Sequence, residues 1–65
     1  MKQMPLEEFV IKSAERYIQL KDTFPNDTAI RFSLTESVIE YLAVQNITRE
    51  ERLEYARMYY KLRGQ

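Results

Sequence analysis

The chain has 65 residues, with ten basic and ten acidic side chains, no cysteine and no histidine. A chain this short makes one domain at most (residues 1–65). With no disulfide and no Cys/His zinc site to support its small core, association with a copy of itself or with another protein is expected. The absent thiol and imidazole remove the commonest nucleophile and general base, so a non-enzymatic role is expected, with no cofactor, no metal and no small-molecule substrate.

Apolar residues at 45% and charged residues at 31% fit a folded, water-soluble domain. A net charge of zero gives no general attraction to nucleic acid or anionic lipid. The longest apolar runs, such as Phe9-Val10-Ile11 and Tyr41-Leu42-Ala43-Val44, are too short to span a membrane. Glu7 and Glu8 stand where a signal peptide needs its apolar stretch, so a cytoplasmic location is expected.

The first predicted helix covers residues 5–21. Leu6, Phe9, Val10, Ala14, Tyr17 and Ile18 recur at spacings of three and four, with Glu7, Glu8, Lys12, Glu15, Arg16 and Gln19 opposite. Pro5 suits a helix start, and the two early glutamates complement the positive end of the dipole. Pro25 disfavours helix at Phe24 and ends the pattern.

The second segment, residues 28–45, admits two readings. As a helix capped by Asn26 or Asp27, it sets Ile30, Leu34, Val38, Tyr41 and Leu42 in one stripe. As a strand, residues 28–34 alternate with period two, and Thr35 then caps a shorter helix. Ser33, Thr35 and Ser37 are poor helix-interior residues, which favours the strand. The chain offers no second strand to pair with it, which favours the helix unless two chains pair.

The third predicted helix covers residues 49–63. Thr48-Arg49-Glu50-Glu51 reads as a capping box, with Ile47 before it as a staple. Acids lie early and bases late, as the dipole favours, and Gly64 supplies the stop. Leu53, Tyr55, Ala56, Met58, Tyr59, Tyr60 and Leu62 surround most of its axis, which marks a helix that is central or shared with another molecule.

Three readings of this last helix stand side by side. Its tyrosines, with Arg57, Lys61 and Arg63, suit base stacking over a basic groove, a protein interface, or plain core with the hydroxyls reaching water. The interface reading assigns Tyr55, Met58, Tyr59 and Leu62 to partner contact. The pairs Glu7/Glu8 and Glu50/Glu51 point about 100° apart on their helices and sit in first turns, where they act as dipole complements rather than converging carboxylates.

Residues 30–42, Ile-Arg-Phe-Ser-Leu-Thr-Glu-Ser-Val-Ile-Glu-Tyr-Leu, followed by Asn46-Ile47-Thr48, resemble the ribbon-helix-helix repressors of the Arc, MetJ and CopG type. The resemblance implies a strand at 28–34 that pairs with that of a second subunit, behind an extra N-terminal helix. By position it implies DNA contacts from Ala29, Arg31 and Ser33 to base edges and from the backbone at Thr48 and Arg49 to phosphate. The balanced charge and the helix before residue 28 depart from that family's pattern.

The fold expected from the residues themselves is an all-α, three-helix bundle (5–21, 28–45 and 49–63), dimeric in solution. Leu6, Phe9, Val10, Tyr17, Ile18, Leu34, Val38, Leu42, Ile47, Leu53, Ala56 and Tyr60 are its expected core. The expected function is that of a small regulatory or adaptor protein acting by protein–protein interaction as a homodimer, the alternative being the ribbon-helix-helix repressor.

Overall fold

The computed structural model describes residues 5–64. These form three helices, α1 (Leu6–Thr23), α2 (Thr28–Ala43) and α3 (Arg49–Leu62), and no strand occurs among the described residues. The segment preceding Pro5, on which part of the leader argument falls, lies outside them. At most about 14 Å is spanned by the four residues 24–27, roughly half the length of α1, so α2 must run back along it. The five residues 44–48 turn α3 back along α2 in the same way. Every helix packs on the other two, α1 against α3 most extensively and α2 against α3 least.

Local chemistry sets the ends. The Asp27 carboxylate accepts from the Ile30 N–H at 3.1 Å and caps α2. The Asp27 N–H donates to the Phe24 carbonyl at 3.1 Å, closing a β-turn with Pro25 at its second position. At α3 the capping box is complete: Glu51 N–H donates to Thr48 Oγ1 at 3.1 Å, and Thr48 N–H donates to Glu51 Oε1 at 2.9 Å. Gly64 follows α3 with φ at +88°, a backbone conformation that side chains with a Cβ rarely adopt.

The strand alternative for residues 28–34 is corrected, because this segment forms the first two turns of α2. Helix interiors penalise Ser and Thr because their hydroxyls compete for backbone groups. Here those hydroxyls bond within the helix. Thr35 Oγ1 donates to the Arg31 carbonyl at 3.1 Å, and Ser37 Oγ to the Ser33 carbonyl at 3.0 Å. Neither residue therefore opposes the helix as strongly as its type suggests.

The core consists of Val10, Ala14, Val38, Leu42 and Tyr59, with Leu6, Phe9, Tyr55, Met58 and Tyr60 packed against it. Tyr59 is the largest and is wholly buried. Its expected place in a partner interface is thereby corrected. Two expected core residues are exposed, Ile18 at 41% and Leu53 at 44%. Leu53 stands about 120° around the helix from Tyr59, well off the buried side. On α1 it is Tyr17 that turns inward beside Ile18, its ring edge-on to Tyr59 at 6.4 Å between centroids. The other end of the α1–α2 pair is closed by Phe9 and Tyr41, with centroids 4.1 Å apart.

Candidate functional site

The polar chemistry of the bundle gathers where the end of α1, the start of α2 and the end of α3 meet. Thr35 faces α3 from the inner flank of α2. Its hydroxyl accepts from Arg63 Nη1 at 2.6 Å and lies 3.2 Å from the Tyr59 hydroxyl. Because Thr35 gives its only proton to the Arg31 carbonyl, the Tyr59 O–H must be the donor in that pair. A single oxygen thus satisfies the one polar atom of the buried Tyr59 and anchors the guanidinium beside it.

Arg63 is held by rings as well as by Thr35. Its guanidinium carbon lies 4.4 Å from the Tyr17 ring centre, 4.5 Å from Tyr60 and 5.3 Å from Tyr59. Each such cation–π contact is worth about 0.5–2 kcal/mol, the larger figure where water is excluded. The cluster joins α1, α2 and α3 through one side chain.

Arg31 sits beside this cluster. Its Nη1 donates to the Pro25 carbonyl at 2.9 Å and the Phe24 carbonyl at 3.4 Å, fastening the turn between α1 and α2 to the first turn of α2. Together Tyr17, Thr28, Arg31, Phe32, Thr35, Tyr60 and Arg63 line an open cleft of about 290 Å³. Phe32 stands at this cleft with 65% of its surface exposed.

The expected site residues are spread over the molecule. Of the four expected at a partner interface, Tyr59 is core, Tyr55 and Met58 are half-buried against the core, and Leu62 remains exposed at 43%. Ala29, Arg31 and Ser33 lie on a helix and not on a ribbon; Ala29 and Ser33 are exposed, and Arg31 is occupied with the turn. Thr48 and Arg49 stand beyond the far end of α2, a helix about 24 Å long, so the five do not form one surface. Thr48 is engaged in its capping box.

Sequence reading missed the cluster because it weighed Thr35 as a helix-breaking residue or cap and Arg63 as a dipole complement. The available signal was Thr35 beside the inward stripe of α2, where a polar group needs a partner. Among the described residues no three His, Cys, Asp or Glu side chains gather in a metal-binding group, and no helix is long and apolar enough to cross a membrane.

The geometry defines a small all-α three-helix bundle with an aromatic–arginine cluster at one end. No protein-family model, no curated protein and no solved structure matches the chain.

Proposed function

We propose that this chain is a small, cytoplasmic, non-enzymatic regulatory or adaptor protein that works by binding protein, first of all a second copy of itself. One observation carries the reading. Among the described residues ten large apolar side chains are at least 36% exposed, whereas the buried apolar core has five members. A domain with so small a core gains much of its remaining stabilisation from association.

The sequence pattern pointed to α3 as the apolar surplus, but α3 spends Tyr55, Met58, Tyr59 and Tyr60 inside the bundle. The surplus is on α2, which carries apolar side chains all round its axis and only Arg31, Glu36 and Glu40 as charges. Ile39 is 37% exposed and Val44 79% exposed, with Ala43 between them also exposed. Ile39 lies one turn beyond Thr35, on the row directed towards α3, and Leu53 lies two turns before Tyr60 on the facing flank of α3. The α2–α3 contact is the sparsest of the three. A stable dimer buries about 800 Å² per partner, roughly a sixth of the 5214 Å² surface, so the contact must take in both helices.

Sedimentation equilibrium at micromolar concentration tests the proposal. The native chain is expected at twice its 7.9 kDa mass, and Ile39→Glu and Val44→Glu at the single mass with unchanged helical circular dichroism. A native chain that stays monomeric, or variants that stay dimeric, overturns it.

A further inference from the structure

We propose that the groove between α1 and α3 receives a basic amphipathic helix from a partner protein. This face is separate from the α2–α3 self-contact. On α1, Phe9 marks the flank towards α2, since its ring meets Tyr41. Val10 is wholly buried, and Ile11 stands about 100° beyond it, on the flank away from α2. Ile18 lies two turns further along that flank. On α3, Tyr60 marks the flank towards α2, because it lines a cleft with Thr28 and Phe32. Met58 and Leu62, one turn apart, lie on the other side of the buried Tyr59, towards α1. Tyr17 meets Tyr59 and Arg63, which brings Ile18 level with Leu62. Ile11, Ile18 and Leu62 are each more than a third exposed, and Met58 is half-buried. The α1–α3 contact is the most extensive of the three, so these two walls are the best supported in the bundle.

The occupant follows from the charges around this apolar strip. Glu7 and Glu15 stand one turn before and after Ile11, and Asp22 one turn after Ile18. Glu54 and Glu51 lie one and two turns before Met58. All five are exposed, and none has an ion-pair partner among the described residues. The lysines of this face are Lys21 and Lys61, in the last turns of α1 and α3. At that end the C-termini of α1 and α3 outnumber the N-terminus of α2, and the two lysines offset the excess. At the other end the N-termini of α1 and α3 outnumber the C-terminus of α2, by about half a charge against Glu7 and Glu51. Midway stand Glu15 and Glu54. The remaining bases belong elsewhere. Lys12 is paired with Glu8, Arg57 shares the outer face of α3 with Glu50, and Arg16 follows Phe9 towards α2. Arg49, Arg52 and Arg63 share the rows of Tyr59 and Tyr60, with Arg63 bonded to Thr35 of α2. The first two thirds of the groove are therefore acidic, in a chain whose net charge is zero.

Acidic walls repel nucleic acid and anionic lipid and attract lysine and arginine. Apolar anchors two turns apart, set between two helices, match the stripe of an amphipathic helix laid into a groove. Its flanking cations then meet the five carboxylates, which favours a basic helix over a neutral or acidic one.

The probe is an amidated helical peptide of leucine and lysine, about the length of α3, with leucines at helical spacing. Its leucine–glutamate counterpart is the control. In NMR titrations the Leu–Lys peptide is expected to give saturable shifts at Ile11, Ile18, Met58 and Leu62, and the Leu–Glu peptide to bind at least about tenfold more weakly. Glu15→Lys combined with Glu54→Lys, both at exposed positions, is expected to weaken the Leu–Lys peptide about tenfold with unchanged helical circular dichroism. Ile18→Ser is expected to weaken it as well. Absence of saturable shifts at these residues overturns the proposal, as does equal binding of the two peptides. Shifts at Ile11 and Leu62 that grow with protein concentration before peptide is added make the occupant a second copy and also overturn it. The titration is repeated on Ile39→Glu, where unchanged binding is expected, so a failed self-contact leaves this result standing. Binding lost in Ile39→Glu places the peptide on the α2–α3 face and overturns the proposal.

Discussion

Thr35 and Arg63, separated by 28 positions in the chain, meet in a 2.6 Å hydrogen bond that closes α2 onto α3. Arg63 is simultaneously stacked on Tyr17 of α1, so the bond is the hub of a contact shared by all three helices. The Tyr59 hydroxyl depends on the same Thr35 oxygen.

Replacing Thr35 by Val keeps the shape and removes that oxygen. The Tyr59 hydroxyl and one Arg63 donor then lose their partner, at a cost of about 1–3 kcal/mol. Urea unfolding is expected to show a lower midpoint with an unchanged slope, whereas Thr35→Ser, which restores the oxygen, stays within about 1 kcal/mol of the native chain.

Arg63→Lys is expected to behave as a loss and not as a conservative change. An ammonium lacks the planar face that lies between Tyr17 and Tyr60, so about 1–2 kcal/mol of stability goes with the guanidinium. Thermal unfolding followed at 222 nm should place Arg63→Lys closer to Arg63→Met than to the native chain.

Tyr59 separates its ring from its hydroxyl in two variants. Tyr59→Phe removes one satisfied hydrogen bond and costs about 1 kcal/mol. Tyr59→Ala empties the centre of the core at a cost of about 3–5 kcal/mol. A domain of this size has a total stability of only a few kcal/mol, so Tyr59→Ala is expected to lose most of its helical circular dichroism at 25 °C.

Thr48→Ala removes the hydroxyl half of the capping box at the start of α3 and leaves the half made by its backbone N–H. A cost of about 1 kcal/mol is expected, with faster amide exchange confined to the first turn of that helix. Thr48→Ser keeps the oxygen and should restore native exchange at the Glu51 amide, which is the one that donates to it.

The ends of α1 and α3 were legible because caps are local. Pro5, the Thr48–Glu51 pair and Gly64 each act within a few residues of the helix end they set. α2 was ambiguous because Thr28 to Leu34 satisfies a period of two and a helical stripe equally well. What decides between them is the Asp27 cap and the bonds that Thr35 and Ser37 make to carbonyls of their own helix, which spacing alone does not reveal. The aromatic–arginine cluster was less legible still. Register says which flank of a helix Thr35 and Arg63 occupy, but not that these two flanks meet. Tyr59 was misassigned for a related reason: a helix apolar on several sides does not declare which of its tyrosines is innermost.

The position of Tyr59 in the order of synthesis also matters. The residue at the centre of the core belongs to the last of the three helices to be made. While α1 and α2 are emerging, Val10, Val38 and Leu42 have nothing to close over them, and a helical pair this small is marginal by itself. The nascent chain therefore carries uncovered apolar surface until α3 is complete, and its risk of aggregating is greatest during that interval.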